Sequence, residues 1–164
     1  MTGTKTNVAT DTVARTLVVS RTFDAPRELV FRAYTEPEQL ARWWGPEGWQ
    51  TETRTLDLRP GGIWHYVMRG PDGAESWGRT TYREVTPPTR LVYSDAFTDA
   101  EGNAVEGLPV MVITTEFAEH DGKTTVISST QFASDEDMRK IVEMGAVEGI
   151  TQTWERLAAY LGSE

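Results

Sequence analysis

Few side chains in this sequence could move a proton. There is no cysteine and there are only two histidines, His65 and His120. Thiolate nucleophiles, disulfides and cysteine zinc sites are therefore excluded. His120 lies in the turn His120-Asp121-Gly122, and His65 falls within a strand-like run. The carboxylates set inside strand-like runs are Asp95 and Glu116, with Gln131 as a further polar strand residue. A carboxylate held in apolar surroundings has a raised pKa and can act as an acid or a base. Tyr66 and Tyr93 add phenolic hydroxyls that could orient a ligand carbonyl or hydroxyl, or that simply reach a backbone carbonyl. Patterns for a phosphate-binding loop, a dinucleotide-binding fold and a nucleophile elbow are absent.

Aromatic residues carry the most information. Trp43, Trp44, Trp49, Trp64, Trp77 and Trp154 are many for a chain of 164 residues. Period-two alternation puts Trp64, Tyr66 and Met68 on one face of their strand and Ile63, His65 and Val67 on the other. Tyr93, Asp95 and Phe97 share a face of a later strand, as do Met111, Ile113 and Phe117, with Glu116 opposite. Met144, Val147, Thr151 and Trp154 are read as the opposing wall from a C-terminal helix, and Trp44 as a contributor from a short helix. Taken together these residues suit an apolar pocket with a few polar groups. For each one singly, ordinary core packing is the competing reading.

These residues are positioned by a regular succession of elements. The run Thr16 to Phe23 is β-branched and apolar, hence a first strand. Asp24-Ala25-Pro26 starts a helix carrying Leu29, Val30, Ala33 and Tyr34, and Glu36-Pro37 opens a second that carries Leu40, Trp43 and Trp44. Six strands follow: Trp49 to Leu58, Ile63 to Arg69, Glu75 to Val85, Arg90 to Phe97, Val110 to Ala118 and Thr124 to Phe132. Pro-Gly, Asp-Gly and Gly-Gly pairs in the short connections mark hairpins, hence antiparallel neighbours. Ser134 caps a long helix that runs to about Gly162, with a bend expected near Gly145 and Gly149. The expected fold is α+β: seven antiparallel strands covered by the long amphipathic helix, with a gap between them. Residues 1–14 read as a mobile tail and 15–164 as one domain. The loop Thr98 to Leu108 reads as a solvated connection or a lid beside the gap; its acidic residues do not have the spacing of an EF-hand calcium loop.

Composition narrows the partners. The charge sum is −9, which argues against general nucleic-acid binding. No apolar run approaches the ~20 residues needed to span a bilayer, so no membrane role is expected. A reducing cytoplasm is the simplest location for a chain without cysteine. No metal, cofactor or catalytic residue is assigned.

Four segments match a known pattern: Phe23 to Val30, Pro37 to Pro46, Leu58 to Trp64 with Pro71-Asp72-Gly73 after it, and Tyr82 to Val92. In order and spacing they resemble the activator of heat-shock-protein-90 ATPase homologue family. That family belongs to the SRPBCC superfamily, also called START-like or birch-pollen-allergen-like. The resemblance covers about Leu17 to Leu161. It implies a helix-grip fold, a seven-stranded antiparallel sheet gripping a C-terminal helix with a cavity between. Three functions are compatible with it: binding of a small hydrophobic molecule in that cavity; an enzyme of cyclase, hydratase or hydrolase type acting there on an aromatic or polyketide-like substrate; and an interaction protein that stimulates a chaperone ATPase. No counterpart of the eukaryotic co-chaperone's additional N-terminal domain is expected from this sequence, which makes the chaperone partner the third choice. Edge strands of such sheets can pair, so a homodimer is an open expectation.

Overall fold

The computed structural model describes residues 7–11 and 15–162. The strands are β1 (Asn7–Asp11), β2 (Thr16–Phe23), β3 (Gln50–Leu56), β4 (Ile63–Arg69), β5 (Glu75–Thr86), β6 (Arg90–Thr98), β7 (Met111–His120) and β8 (Lys123–Gln131). The α-helices are α1 (Arg27–Thr35), α2 (Pro37–Trp43), α3 (Asp135–Glu143) and α4 (Ala146–Gly162). All the strands form one antiparallel sheet in the order β1-β2-β8-β7-β6-β5-β4-β3. Register shifts in β3 and β5, at Thr53/Thr55 and Tyr82/Glu84, bend the sheet around the helices.

The sheet has eight strands rather than the expected seven. The additional one is β1, which pairs from Asn7↔Ser20 to Asp11↔Thr16 and lies in the stretch read as a tail. Asn7, Val8 and Ala9 are all exposed, so these three residues show no alternation of buried and exposed positions. What holds it is the free edge of β2, whose unpaired N–H and C=O groups accept any extended segment. Residues 1–6 and 12–14 of that stretch lie outside the described residues.

The other strands alternate as an inward apolar face requires. On β2, Leu17, Val19 and Phe23 are buried, and their neighbours are less so. The single long C-terminal helix proves to be two. Gly145, at φ +91°, interrupts the ladder between α3 and α4, a conformation that costs a glycine little. The break falls where a bend was expected, and it resets the helical phase. Met138 and Ile141 on α3 turn inward and are buried, whereas Met144 at the break is 53% exposed.

Arg156 ties α4 to the loop after α2. Its guanidinium donates to the carbonyls of Arg42, Trp44, Gly45, Pro46 and Trp49 at 2.9–3.4 Å. Two of these carbonyls have a second donor, the Thr51 hydroxyl at Trp44 and the Trp49 N–H at Pro46. Arg156→Met is expected to cost about 1–3 kcal/mol, the range for losing hydrogen bonds made by a charged group. A urea melt of the variant measures that cost, and raised amide exchange at residues 44–49 would localise it.

Candidate functional site

Between the sheet and α3–α4 lies a hollow of about 170 Å³. Its floor is the inner face of the sheet: Leu17 and Val19 of β2, Tyr93 and Asp95 of β6, Met111 and Ile113 of β7, and Ser128 and Thr130 of β8. Ile141, Ala146 and Ile150 form the helical side, and Tyr34 and Trp44 close one end. The space exists because small residues face each other across it. Ser128, Thr130 and Ala146 are small residues of its lining. A second hollow of about 90 Å³ opens beside Tyr66, Met68 and Phe97. Asp95 and Met111 line both hollows, so the carboxylate stands at the neck between them.

Asp95 is anchored by Thr80, whose hydroxyl donates to Oδ1 at 2.6 Å. Burial pushes its pKa up to about 6, against the opposing pull of that hydrogen bond. Burial also raises the Tyr66, Tyr82 and Tyr93 hydroxyls well above the usual phenol range, with the Asp95 charge adding to each. All three stay protonated at neutral pH. The Tyr93 hydroxyl shares a hydrogen bond with Thr115 (2.9 Å), which is in turn 3.3 Å from Ser128. A line of hydroxyls thus crosses β6, β7 and β8 to the floor of the larger hollow.

The smaller hollow depends on Gly78. It pairs with Tyr66 across β4 and β5, and a Cβ there would sit 2.8 Å from the Tyr66 ring carbon Cζ and hydroxyl. That ring is held on two sides, stacking on Trp64 at 4.1 Å and meeting the edge of Trp44 at 6.2 Å, so it could yield only into the hollow it lines. Gly78→Ala is therefore expected to destabilise by about 1–3 kcal/mol, the usual cost of overpacking. Thermal melts would measure the loss, and near-UV circular dichroism would report the displaced aromatic cluster.

The residues expected at the site separate into groups. Trp44, Tyr93, Asp95, Met111 and Ile113 line the larger hollow, and Tyr66, Met68 and Phe97 the smaller one. Trp64 stands behind Trp44, at 5.0 Å between ring centroids, with its indole N–H on Thr53. It lines only a crevice of about 10 Å³, room for one water at most. Phe117 faces inward but is covered by α1, packing edge-on against Phe31 and Tyr34. Trp154 is fully buried core, donating to the Tyr34 hydroxyl at 2.8 Å and standing edge-on to Phe23. Val147 packs at the edge of the core, and the Thr151 hydroxyl donates to the Val147 carbonyl of its own helix. Met144 points to solvent, a correction to its expected place in the wall. The cause is the reset at Gly145, since the expected wall was drawn on one continuous helix.

Ile141, Ala146 and Ile150 take the place of that expected helical wall. Tyr34, Ser128 and Thr130 were also missed. Alternation along Thr124 to Phe132 could have marked Ser128 and Thr130 as inward, but hydroxyl residues gave no apolar signal. His65 lies on the outer face, 5.3 Å from the Trp77 ring, and Glu116 on that face pairs with Arg90 at 2.8 Å. The loop after β6 is organised by the Asp99 carboxylate, which accepts from the backbone N–H groups of Glu101 and Asn103. Among the described residues, no three His, Cys, Asp or Glu side chains converge on a common point, and no helix is long and apolar enough to cross a membrane.

Residues 24–162 match the family model described as activator of Hsp90 ATPase homolog 1-like protein. No curated protein matches the chain. Among solved structures, a protein from Mycobacterium smegmatis is 33% identical with a TM-score of 0.88, over 94% of this chain and 95% of that one. One from Arthrobacter aurescens is 32% identical with a TM-score of 0.91, over 96% and 92%. One from Nitrosomonas europaea is 30% identical with a TM-score of 0.80, over 92% and 96%.

Proposed function

The chain belongs to the activator of Hsp90 ATPase homolog 1-like family, and from that premise we propose that it binds a small, mostly apolar molecule in the hollow between the sheet and α3–α4. The observation that carries this reading is the 170 Å³ space itself, walled by Leu17, Val19, Met111, Ile113, Ile141 and Ile150. A close-packed interior does not leave such a volume without cause. An apolar cavity of about 150 Å³ is large enough to take benzene, so a guest of one or two rings suits this one. Removing apolar area from water drives entry at roughly 25 cal/mol per Å², less the cost of ordering the guest. A molecule of about a dozen heavy atoms, at about −0.5 kcal/mol per atom, then binds with a Kd in the tens of micromolar.

Isothermal titration calorimetry with naphthylmethanol, a neutral two-ring probe, tests the proposal. Saturable binding of one equivalent supports it, and no saturable heat at millimolar probe counts against it.

A second reading is favoured by one observation. Asp95, with a pKa raised to about 6, faces the hollow beside neutral tyrosines, a setting in which a carboxyl can exchange protons with a bound substrate near neutral pH. On this reading the protein is an enzyme of cyclase, hydratase or hydrolase type. Turnover of a bound compound, abolished in Asp95→Asn while binding persists, would separate catalysis from binding. A chaperone partner is supported only by the family's name.

A further inference from the structure

Asp95 is the only charged residue among those lining the two hollows and the crevice behind Trp44. No Lys, Arg or His lines any of them. Arg21 lies on the inner face of β2, two residues beyond Val19, but it sits 5.4 Å from the Phe23 ring and is attracted to Glu155 of α4. It lines none of these spaces. The hollows therefore offer a carboxylate and several hydroxyls to a ligand, and no cation.

Of the two Asp95 oxygens, Oδ1 accepts from Thr80. Aromatic side chains surround the same space: Tyr34, Trp44 and Tyr93 line the larger hollow with Asp95, and Tyr66 and Phe97 the smaller. A carboxylate among electron-rich ring faces is the chemistry that holds an organic ammonium group. The carboxylate supplies the counter-charge, the ring quadrupoles add attraction, and both act strongly where water is excluded. A carboxylate ligand would meet the reverse, a like charge in a low-dielectric space with no cation to offset it.

We propose that the ligand is an apolar amine, bound as its cation, with its hydrocarbon body in the larger hollow and its ammonium group against Asp95 at the neck. This rests on the cavity reading above and adds the class of ligand. It also accounts for a charge retained in an otherwise apolar interior. A bound ammonium offsets the desolvation of the carboxylate, and the carboxylate offsets that of the ammonium. The smaller hollow then takes a short substituent on the nitrogen.

The test is calorimetry at about pH 7.5 with naphthylmethylamine, naphthylmethanol and naphthoate, one ring isomer throughout, on wild-type protein and on Asp95→Asn after circular dichroism has shown it folded. The amine is expected to bind the wild type at least about tenfold more tightly than the alcohol, and naphthoate most weakly of the three. In Asp95→Asn the lead of the amine over the alcohol should shrink to about threefold or less. Asp95→Ser substitutes if the asparagine variant does not fold. An alcohol or naphthoate that matches the amine on the wild type overturns the proposal, as does an amine lead that survives in the variant. If the alcohol binds and the amine has no lead, the cavity reading stands and the amine assignment falls. If none of the probes binds, both fall.

Discussion

Asp95→Asn is expected to stabilise the protein by roughly 2–3 kcal/mol at about pH 7.5 and to leave it unchanged at about pH 3. The Asp95 carboxyl has an ordinary pKa of 3.8 when exposed and about 6 in the folded protein. Below both values it is protonated in either state and costs nothing. As pH rises from about 4 to 6 the unfolded chain ionises first, so the native state binds more protons and stability falls. Above about pH 6 the whole desolvation penalty is present. Asparagine is nearly the same shape, can still accept from the Thr80 hydroxyl, and carries no charge to desolvate. Its advantage should therefore grow with pH across that window and then level off. For a chain of this length, the gain corresponds to a rise in Tm of about 5–10 °C at neutral pH. Thermal melts of both proteins across the range would show it. An asparagine variant no more stable than wild type at neutral pH would mean that the carboxylate is better solvated or better paired than its surroundings imply.

The second large effect is expected from filling the larger hollow. Ile150 is half-buried on α4 and faces that space. Ile150→Trp places an indole where the guest would sit. The existing volume receives the added ring, so the overpacking cost should stay within about 1–3 kcal/mol and the variant should fold. Affinity for naphthylmethanol should fall by about a hundredfold or more, because guest and indole cannot share the space. Met144→Trp is the control. That position is 53% exposed, so the substitution should leave binding intact. Equal losses in both variants would place the site elsewhere. Equal retention would mean that the probe does not enter the hollow.

The contrast between Ile150 and Met144 also shows what the sequence could reveal. Alternation along Arg90 to Phe97 and along Val110 to Ala118 identified Tyr93, Asp95, Met111 and Ile113 as sharing the inner face, because a sheet with one buried face fixes the parity of every strand. Turn chemistry located the hairpins for a similar reason, since positive-φ positions demand particular residues. Met144 was misplaced because Gly145 resets the helical phase there; a bend could be expected at that point, but not which way it would turn the residue before it. Phe117 and Trp154 have the same composition signal as wall residues. Whether α1 covers them is decided by the packing of Phe31 and Tyr34, far away in the chain. β1 was invisible because Asn7, Val8 and Ala9 are all exposed and give no apolar alternation. The hollow itself was the hardest feature to see. It results from Ser128, Thr130 and Ala146 being small where they meet, and sequence patterns register side chains that are present rather than space left between them.

The most direct measurement is a methyl NMR titration of the protein with naphthylmethanol. A guest between sheet and helices should shift the methyl groups of Met111, Ile113, Ile141 and Ile150, which line the larger hollow, and leave those of exposed Ile63 and Val110 in place. Inner methyl groups that stay fixed at saturating probe, or shifts confined to the exposed set, would contradict the account.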